Sequence, residues 1–166
     1  MIFDYDKTKK ALGEAQLTLK WTVLISKASV VAGDFSEDLQ IMVTTSTVPE
    51  TDSQMVQVEI GGHVINQNGK QVRNGSIVWT FVENTDAAVT EYFYNWIKAR
   101  ENSKNSDLKA DLTMQLMGPD ESITQTYTLI GAMPKLEVGS TWNQAADQVN
   151  PSITWEYDDY EWKKGA

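Results

Sequence analysis

The sequence contains no cysteine and only one histidine, His63, among its 166 residues. The absence of cysteine excludes disulfide bonds and thiolate-bound metals. A nucleophilic triad would need the imidazole of His63 as its base, but neither a Gly-x-Ser-x-Gly elbow nor a phosphate-binding G-x-x-x-x-G-K-[ST] loop accompanies it. We therefore predict a protein that is not an enzyme and has no catalytic residues, no metal and no cofactor. We expect His63 to lie exposed in a loop.

Long apolar runs are also missing. The first ten residues are charged and lack the apolar stretch of a signal peptide. No run approaches the ~18 residues that a membrane helix needs. We expect a soluble protein that is made inside the cell and does not enter a membrane.

Basic residues are scarce, because 14 Lys and Arg stand against 23 Asp and Glu, for a net charge of −9. Proteins that bind nucleic acid usually show the opposite balance, since Lys and Arg neutralise phosphates. The acidic excess therefore argues against specific nucleic-acid binding. Two explanations remain open: a solubility device, or a surface past which DNA moves without adhering.

One segment, residues 86–100, has the periodicity of an amphipathic helix. Its apolar residues recur at intervals of three and four positions: Val89, Tyr92, Phe93, Trp96 and Ile97. Asp86 begins the segment, where a carboxylate can accept hydrogen bonds from the first free N–H groups. We predict that this helix covers the open core of a β-sandwich or barrel.

Most of the remaining sequence alternates apolar and polar residues with the period of two that is typical of antiparallel strands. The predicted strands are 17–26, 39–47, 76–82, 108–117, 123–130 and 152–158. Gly118-Pro119-Asp120 predicts a short turn between 108–117 and 123–130. The pattern predicts a mainly β (α+β) fold, an antiparallel β-sandwich or barrel with one flanking amphipathic helix.

Residues 51–75 fit this pattern only in part. They contain one predicted strand, 55–60, followed by the polar sequence GGHVINQNGKQVRNG, in which Asn68-Gly69 and Asn74-Gly75 are turn signals. An irregular segment of about 15 residues is uncommon in a compact domain unless it binds a partner or moves. Two interpretations remain open: a surface loop, and an arm that becomes ordered on a partner.

Four carboxylates lie close together near the C-terminus: Glu156, Asp158, Asp159 and Glu161. On a strand, Glu156 and Asp158 would share one face, as a glycosidase pair or a calcium site requires, although a solvated strand face has the same pattern. With Trp142 and Trp162, these residues leave a carbohydrate-binding β-sandwich as an alternative function. A glycosidase or calcium-dependent hydrolase is the third.

The order of the motifs carries a resemblance to a known family. The sequence TTSTVP (44–49) precedes the polar segment, and SIVWTF (76–81) precedes a helix that contains FYNW (93–96); YTLIGAMP (127–134) and ITWEYD (153–158) follow. In this order and spacing, residues 40–162 resemble the tail tube proteins of contractile-tailed bacteriophages. Related inner tubes belong to type VI secretion and extracellular contractile injection systems, and both remain open as alternatives.

The resemblance implies a single domain, 1–166, that assembles into a hexameric ring with a β-barrel lumen. Rings would stack into a hollow tube in a virion tail, with sheath, baseplate and tape-measure proteins as partners. DNA would pass through the lumen into the host cell on tail contraction, without specific binding. No cofactor and no membrane are implied.

The resemblance also assigns contact and lumen positions. Residues 49–75 would form an extended arm between subunits and rings, and 1–16 and 158–166 would be terminal segments at contacts. The arm residues are Pro49, Glu50, His63, Asn68, Gly69, Lys70, Arg73 and Asn74. Polar strand positions are the candidate lumen-facing residues: Gln57, Glu59, Lys109, Asp111, Thr113, Gln115, Thr124, Thr126 and Thr128.

Overall fold

A computed structural model of the protein describes residues 20–137 and 149–166. Its strands are β1 (Trp21–Lys27), β2 (Val43–Ser46), β3 (Asp52–Ile60), β4 (His63–Val72), β5 (Gly75–Phe81), β6 (Ala110–Met117), β7 (Ile123–Glu137), β8 (Ser152–Tyr157) and β9 (Asp159–Lys164). Its helices are α1 (Glu37–Ile41), α2 (Ala88–Lys98) and α3 (Asn105–Leu108), with a 3₁₀ turn at Ala99–Glu101. The predicted contact segment 1–16, residues 17–19 of the first predicted strand, and Trp142 lie outside the described residues.

One long strand, β7, belongs to two antiparallel layers. Its first part pairs with β6 and β9, and β6 pairs with β1, so the first layer has the order β1-β6-β7-β9. Its last part pairs with β8, which continues through β5 to β2, so the second layer has the order β7-β8-β5-β2. The predicted mainly antiparallel β fold with a flanking helix is confirmed.

Strand β7 changes layer at Gly131. This residue has a φ of 66°, a left-handed conformation that costs a residue with a Cβ roughly 1–2 kcal/mol. The N–H of Gly131 donates to Oδ1 of Asp111 at 3.0 Å, and the N–H of Asp158 donates to the carbonyl of Ile130 at 3.1 Å. A Cβ at position 131 would meet the carboxylate of Asp158, which is paired with Lys109. Both the backbone and the neighbouring side chain therefore require glycine at the bend.

The core between the layers is aromatic. Trp79 of β5, Trp155 of β8, and Phe93 and Trp96 of α2 are completely buried. The ring centroids of Trp79 and Trp155 are 5.2 Å apart, and those of Trp96 and Trp155 are 5.4 Å apart, both edge to face. Such pairs add ~0.5–1.5 kcal/mol beyond the area that they bury. The apolar stripe of α2 therefore covers the core, as its periodicity predicts.

The indole N–H groups of this core differ in their partners. Nε1 of Trp96 donates to the carbonyl of Leu108 at 2.9 Å, which joins α2 to the end of α3. In the part of the chain that the structure describes, Nε1 of Trp79 and of Trp155 are buried without an acceptor. A buried donor without a partner costs ~1–3 kcal/mol. The free energy gained from apolar packing in this core therefore exceeds the cost of burying these two indole N–H groups.

Helix α2 begins at Ala88, and the prediction that Asp86 caps it is wrong. The carboxylate of Glu83 instead accepts hydrogen bonds from the backbone N–H groups of Val89 (3.1 Å) and Thr90 (2.8 Å) and from the Thr90 hydroxyl (2.6 Å). Partial burial raises the pKa of Glu83, but the hydrogen bonds from Thr90 and Val89 outweigh it, so this pKa lies below its ordinary value. The preceding loop therefore folds back to cap the helix.

Several predicted strand bounds are also corrected. The strand predicted over 39–47 is shortened to β2, because residues 39–41 belong to α1, which the Ser36 hydroxyl caps by accepting the N–H of Leu39 at 3.3 Å. The strand predicted from residue 108 begins at Ala110, since α3 occupies the preceding positions. Strand β7 continues seven residues past its predicted end at 130, and β9 was not predicted. The errors fall where a local cap or a neighbouring strand overrides the alternating pattern.

We expect Gly131→Ala to lower the free energy of unfolding by about 2 kcal/mol, because it adds a left-handed strain and a contact with Asp158. Gly33→Ala is the matched control, since Gly33 has a φ of 69° but open space around it. Urea denaturation of both variants measures the difference. An equal loss in the two variants would show that the contact with Asp158 has no cost.

We expect Glu83→Ala to lower the free energy of unfolding by about 1 kcal/mol at neutral pH, a typical cost for a lost helix cap, with the charge contribution reduced by solvent screening. Because the folded pKa lies below the unfolded value of ~4.3, this stabilisation is complete above that value and is lost as the pH falls through the folded pKa. The stabilities of the wild-type protein and the variant should therefore converge as the pH falls through the folded pKa of Glu83. Glu91→Ala, at an exposed residue of the same helix turn, is the control, and an equal loss there would contradict the capping role.

Candidate assembly interface

Part of the segment predicted to be irregular, residues 63–72, forms strand β4 and pairs with β3, which contains the predicted strand 55–60. Strands β3 and β4 pair with each other and, within the described residues, with no other strand. Gly61 and Gly62 form the two-residue turn, with φ of 59° and 80°, the positive values that a type I′ turn requires. The turn predicted at Asn68-Gly69 is wrong, because both residues lie within β4, where Gly69 approaches the backbone of Gln54 at an irregularity in the pairing. We call residues 52–72 the arm hairpin.

One face of the arm hairpin is more apolar than the other. Val58 lies opposite Ile65, and Ile60 lies opposite His63, so alternate residues of β3 share one apolar face with Ile65. On this face Val56 is 49% exposed, Ile60 62% and Ile65 48%. The opposite face carries Gln57, Glu59, Asn66 and Asn68, together with Met55 and Val64. An exposed apolar strip on a hairpin that stands apart from both layers is typical of a surface that a partner covers.

The predicted arm residues lie along this hairpin and at its base. His63, Asn68, Gly69 and Lys70 belong to β4, and Glu50 and Asn74 are exposed outside it. Pro49 is buried. Arg73 forms an ion pair of 3.8 Å with Asp159 of β9. The base of the arm hairpin is therefore attached next to the last strand of the first layer.

Polar side chains cover one face of the first layer. Thr113 lies opposite Thr128 in the pairing of β6 with β7, and Gln115 lies opposite both Thr126 of β7 and Thr22 of β1. We call this surface the threonine face; it consists of Thr22, Leu24, Thr113, Gln115, Thr124, Thr126 and Thr128. The opposite face of the same strands carries the core residues Val23, Leu112, Met114 and Leu129. Alternation thus separates core and polar positions along all these strands.

The structure brings five of the nine candidate lumen-facing residues together on the threonine face: Thr113, Gln115, Thr124, Thr126 and Thr128. Gln57 and Glu59 lie instead on the arm hairpin, which is a separate sheet. Lys109 precedes β6 and pairs with Asp158 at 2.5 Å, and Asp111 holds the bend at Gly131. Their contacts give these two residues structural roles in the first layer.

The first layer ends in two open edges. Strand β1 pairs only with β6, and β9 pairs only with β7, among the strands of residues 20–137 and 149–166. Because the layer has four antiparallel strands, its two edge strands run in opposite directions. Trp162 of β9 is 53% exposed, and its indole N–H donates to Oε1 of Gln125 at 3.3 Å. Open edges of this kind accept further strands.

Sequence reasoning missed this edge because it treated residues 158–166 as a terminal segment. The alternation of Tyr160 and Trp162 with charged residues in DYEWKK is the signal that identifies β9. The turn of the arm hairpin also has a signal, because Gly61-Gly62 lies between two stretches that contain β-branched residues.

The candidate catalytic and metal-binding groups are not brought together. His63 is exposed at the start of β4, next to the turn rather than in an irregular loop. Asp158 and Asp159 pair with Lys109 and Arg73, while Glu156 and Glu161 are exposed. In the described part of the chain, no group of three or more His, Cys, Asp or Glu side chains is placed to hold a metal ion. None of the helices in that part is long and apolar enough to cross a membrane.

No protein-family model matches the sequence, and no curated protein matches it. The structure, however, is similar to solved structures. The tube-terminating cap of the anti-feeding prophage shares 15% identity over 91% of this chain and 92% of that chain, with a TM-score of 0.70. A chain of the sheath-tube complex of the extracellular contractile injection system PVC shares 14% identity over 98% and 99%, with a TM-score of 0.69. A type six secretion system protein shares 12% identity over 87% and 84%, with a TM-score of 0.51.

At these identities the similarity concerns the fold. It extends over nearly the whole chain and over nearly the whole of the two injection-system proteins. The resemblance to tube proteins that the order of motifs predicts is confirmed at this level. The chain has the fold of the tube and tube-terminator proteins of contractile injection systems.

Proposed function

We propose that the protein is a structural, non-enzymatic subunit of the tube of a contractile, tail-like particle. The observation that carries this proposal is the first layer, which has one core face, one polar face and two open edges. A single copy leaves these edges unpaired, and a ring of copies pairs them. The shared fold of tube and tube-terminator proteins supports the same role.

The strand directions favour closure into a ring. In a cyclic ring, rotation about one axis relates each copy to the next, so β1 has the same direction in every copy. Strand β9 of one copy would therefore meet β1 of the next copy in antiparallel orientation, like the pairs within each layer. The second layer already covers the core face, so the threonine face is the one available to line the lumen. Six copies per ring is the number that the family resemblance implies.

The arm hairpin is proposed to contact a second copy in the same ring or the next. Its apolar strip is exposed in a single chain, and its base is attached beside β9 through Arg73. Packing this strip against another copy would remove the exposed apolar surface from water. Residues 49–75 and 158–166 are contact segments in this proposal, and the role of residues 1–16 stays a prediction.

The particle is proposed to be of the extracellular injection type. The two proteins compared above over nearly their full lengths are named as parts of such particles, one as a tube cap and the other within a sheath-tube complex. Sheath and baseplate proteins are the corresponding partners, and the location is the assembled particle. The phage tail, the tape-measure partner and the passage of DNA stay predictions of the resemblance.

We expect the purified protein to form rings and stacked tubes, visible by negative-stain microscopy. We expect Trp162→Ala to raise the protein concentration needed for ring assembly about tenfold or more, because truncating a central interface aromatic costs ~2 kcal/mol. Mass photometry measures the ring fraction against concentration. Tyr94→Ala is the matched control, since Tyr94 is a 55% exposed aromatic residue of α2.

The outcomes separate the proposal from its rivals. Equal assembly of both aromatic variants would show that β9 is not at the ring junction. A protein that stays monomeric at high concentration and binds a glycan array would support the carbohydrate-binding alternative instead.

We expect replacement of residues 54–71 by a short Gly-Ser linker to leave the Tm of the monomer nearly unchanged, because the arm hairpin pairs with no strand of either layer. Stacking into tubes should be lost; rings that persist would place the contact of the arm hairpin between rings, and loss of rings would place it within them. Differential scanning calorimetry and negative-stain microscopy measure the two effects. Unfolding of this variant would show instead that the hairpin is part of the core.

A further inference from the structure

Positive and negative charges are nearly balanced in the first layer. Segments 20–27, 109–130 and 158–164, which contain β1, β6, β9 and the first part of β7, carry five basic and six acidic residues. The whole chain has a net charge of −9. These segments therefore contribute a net charge of only −1 to the total of −9.

Opposite charges also lie next to one another at the margins of this layer. The ion pairs are Lys109–Asp158 at 2.5 Å, Lys20–Glu121 at 3.2 Å and Arg73–Asp159 at 3.8 Å. Glu161 and Lys163 of β9 lie opposite Thr128 and Thr126, so β9 extends the threonine face with one negative and one positive side chain. Lys27 and Asp111, which lie opposite each other in β1 and β6, add a second pair of opposite charges. Between these charges the face presents Thr and Gln side chains and one leucine, while Thr126 is buried and donates its hydroxyl to the carbonyl of Gly165 at 2.6 Å. The potential of paired opposite charges largely cancels, and salt screens the remainder within about 10 Å.

The acidic excess is concentrated on the helical side of the protein. Segments 34–41 and 83–101, which include α1 and α2, carry seven acidic and two basic residues. Helix α2 packs Phe93 and Trp96 onto the aromatic core, so it lies across the core from the threonine face. Burial, and then the negative charge of Asp34, raise the pKa of Tyr92 to about 12. A negative potential on this side of the protein raises the pKa of a tyrosine, as the charge of Asp34 does here.

From this separation we propose that the lumen wall is electrostatically neutral and retains neither polyanions nor polycations. The inference rests on the proposed function, because the threonine face becomes a lumen wall only in a ring. The charged side chains on this face are opposite in sign and balance one another, so the wall has no net charge that would retain a polyanion or a polycation. Most of the acidic excess that the sequence shows lies on the side of the subunit that faces away from the lumen.

The cysteine-free sequence allows the potential to be measured at single positions. Thr113→Cys and Thr128→Cys place thiols at two half-buried positions of the threonine face that lie opposite each other in β6 and β7. Thr85→Cys is the outer control, because Thr85 is exposed and lies between Glu83 and Asp86 in the segment that leads into α2. Assembled tubes of each variant are treated with a cationic and an anionic methanethiosulfonate reagent. The ratio of the two modification rates, normalised to a free thiol, measures the local potential.

We expect a ratio within about twofold of one at positions 113 and 128, at both about 20 mM and about 300 mM salt. At position 85 we expect the cationic reagent to react about fivefold faster or more at low salt, and this preference to disappear at high salt. Intact tubes that show the same cationic preference at positions 113 and 128 as at position 85 would overturn the neutral wall and leave the tube proposal intact. An anionic preference of similar size would overturn it equally. If micrographs show no rings or tubes, the proposed function fails and this inference fails with it.

Discussion

One strand, β7, joins the two layers, and the arrangement of the rest of the protein depends on its bend at Gly131. Without a left-handed residue at this position, the first part of the strand could not continue with β6 and β9 while the last part pairs with β8. The carboxylate of Asp111 and the backbone of Asp158 hold the bend from both sides. The bend therefore determines which face of the first layer is covered by the second layer and which stays polar.

The aromatic core explains why the first layer can remain open at both edges. Helix α2 and the second layer enclose Trp79, Phe93, Trp96 and Trp155 without contributions from the threonine face. Burying a large aromatic side chain contributes ~1.5–3 kcal/mol. A single copy with two unpaired edge strands can therefore fold before it meets another copy, as the proposed assembly requires.

Sequence reasoning predicted the parts of the fold in which one strand face is buried. In 76–82 and 152–158, apolar residues alternate with polar ones because only one side meets the core, and both predicted strands agree with β5 and β8 to within one residue at each end. The arm hairpin was missed because no face of it meets the core, so its alternation does not separate apolar from polar residues cleanly. The cap that Glu83 provides was missed because Glu83 lies in the loop before α2, where the apolar periodicity of the helix gives no information. For the candidate site, the alternation of polar and apolar residues alone placed five of the nine candidate lumen-facing residues on one face. The positions of the other four follow only from the strand pairing and from the contacts around the bend.

The dimensions of the arm hairpin have a consequence for any tube that this protein builds. Strand β3 has nine residues, and a strand rises ~3.3 Å per residue, so the hairpin reaches roughly 30 Å from its base. Its base is attached beside β9, so the distance that its tip can reach is fixed. In the proposed tube, a neighbouring ring that the hairpin touches must lie within this distance. The number of residues from Asp52 to Ile60 therefore sets an upper limit on the axial repeat that this contact can bridge.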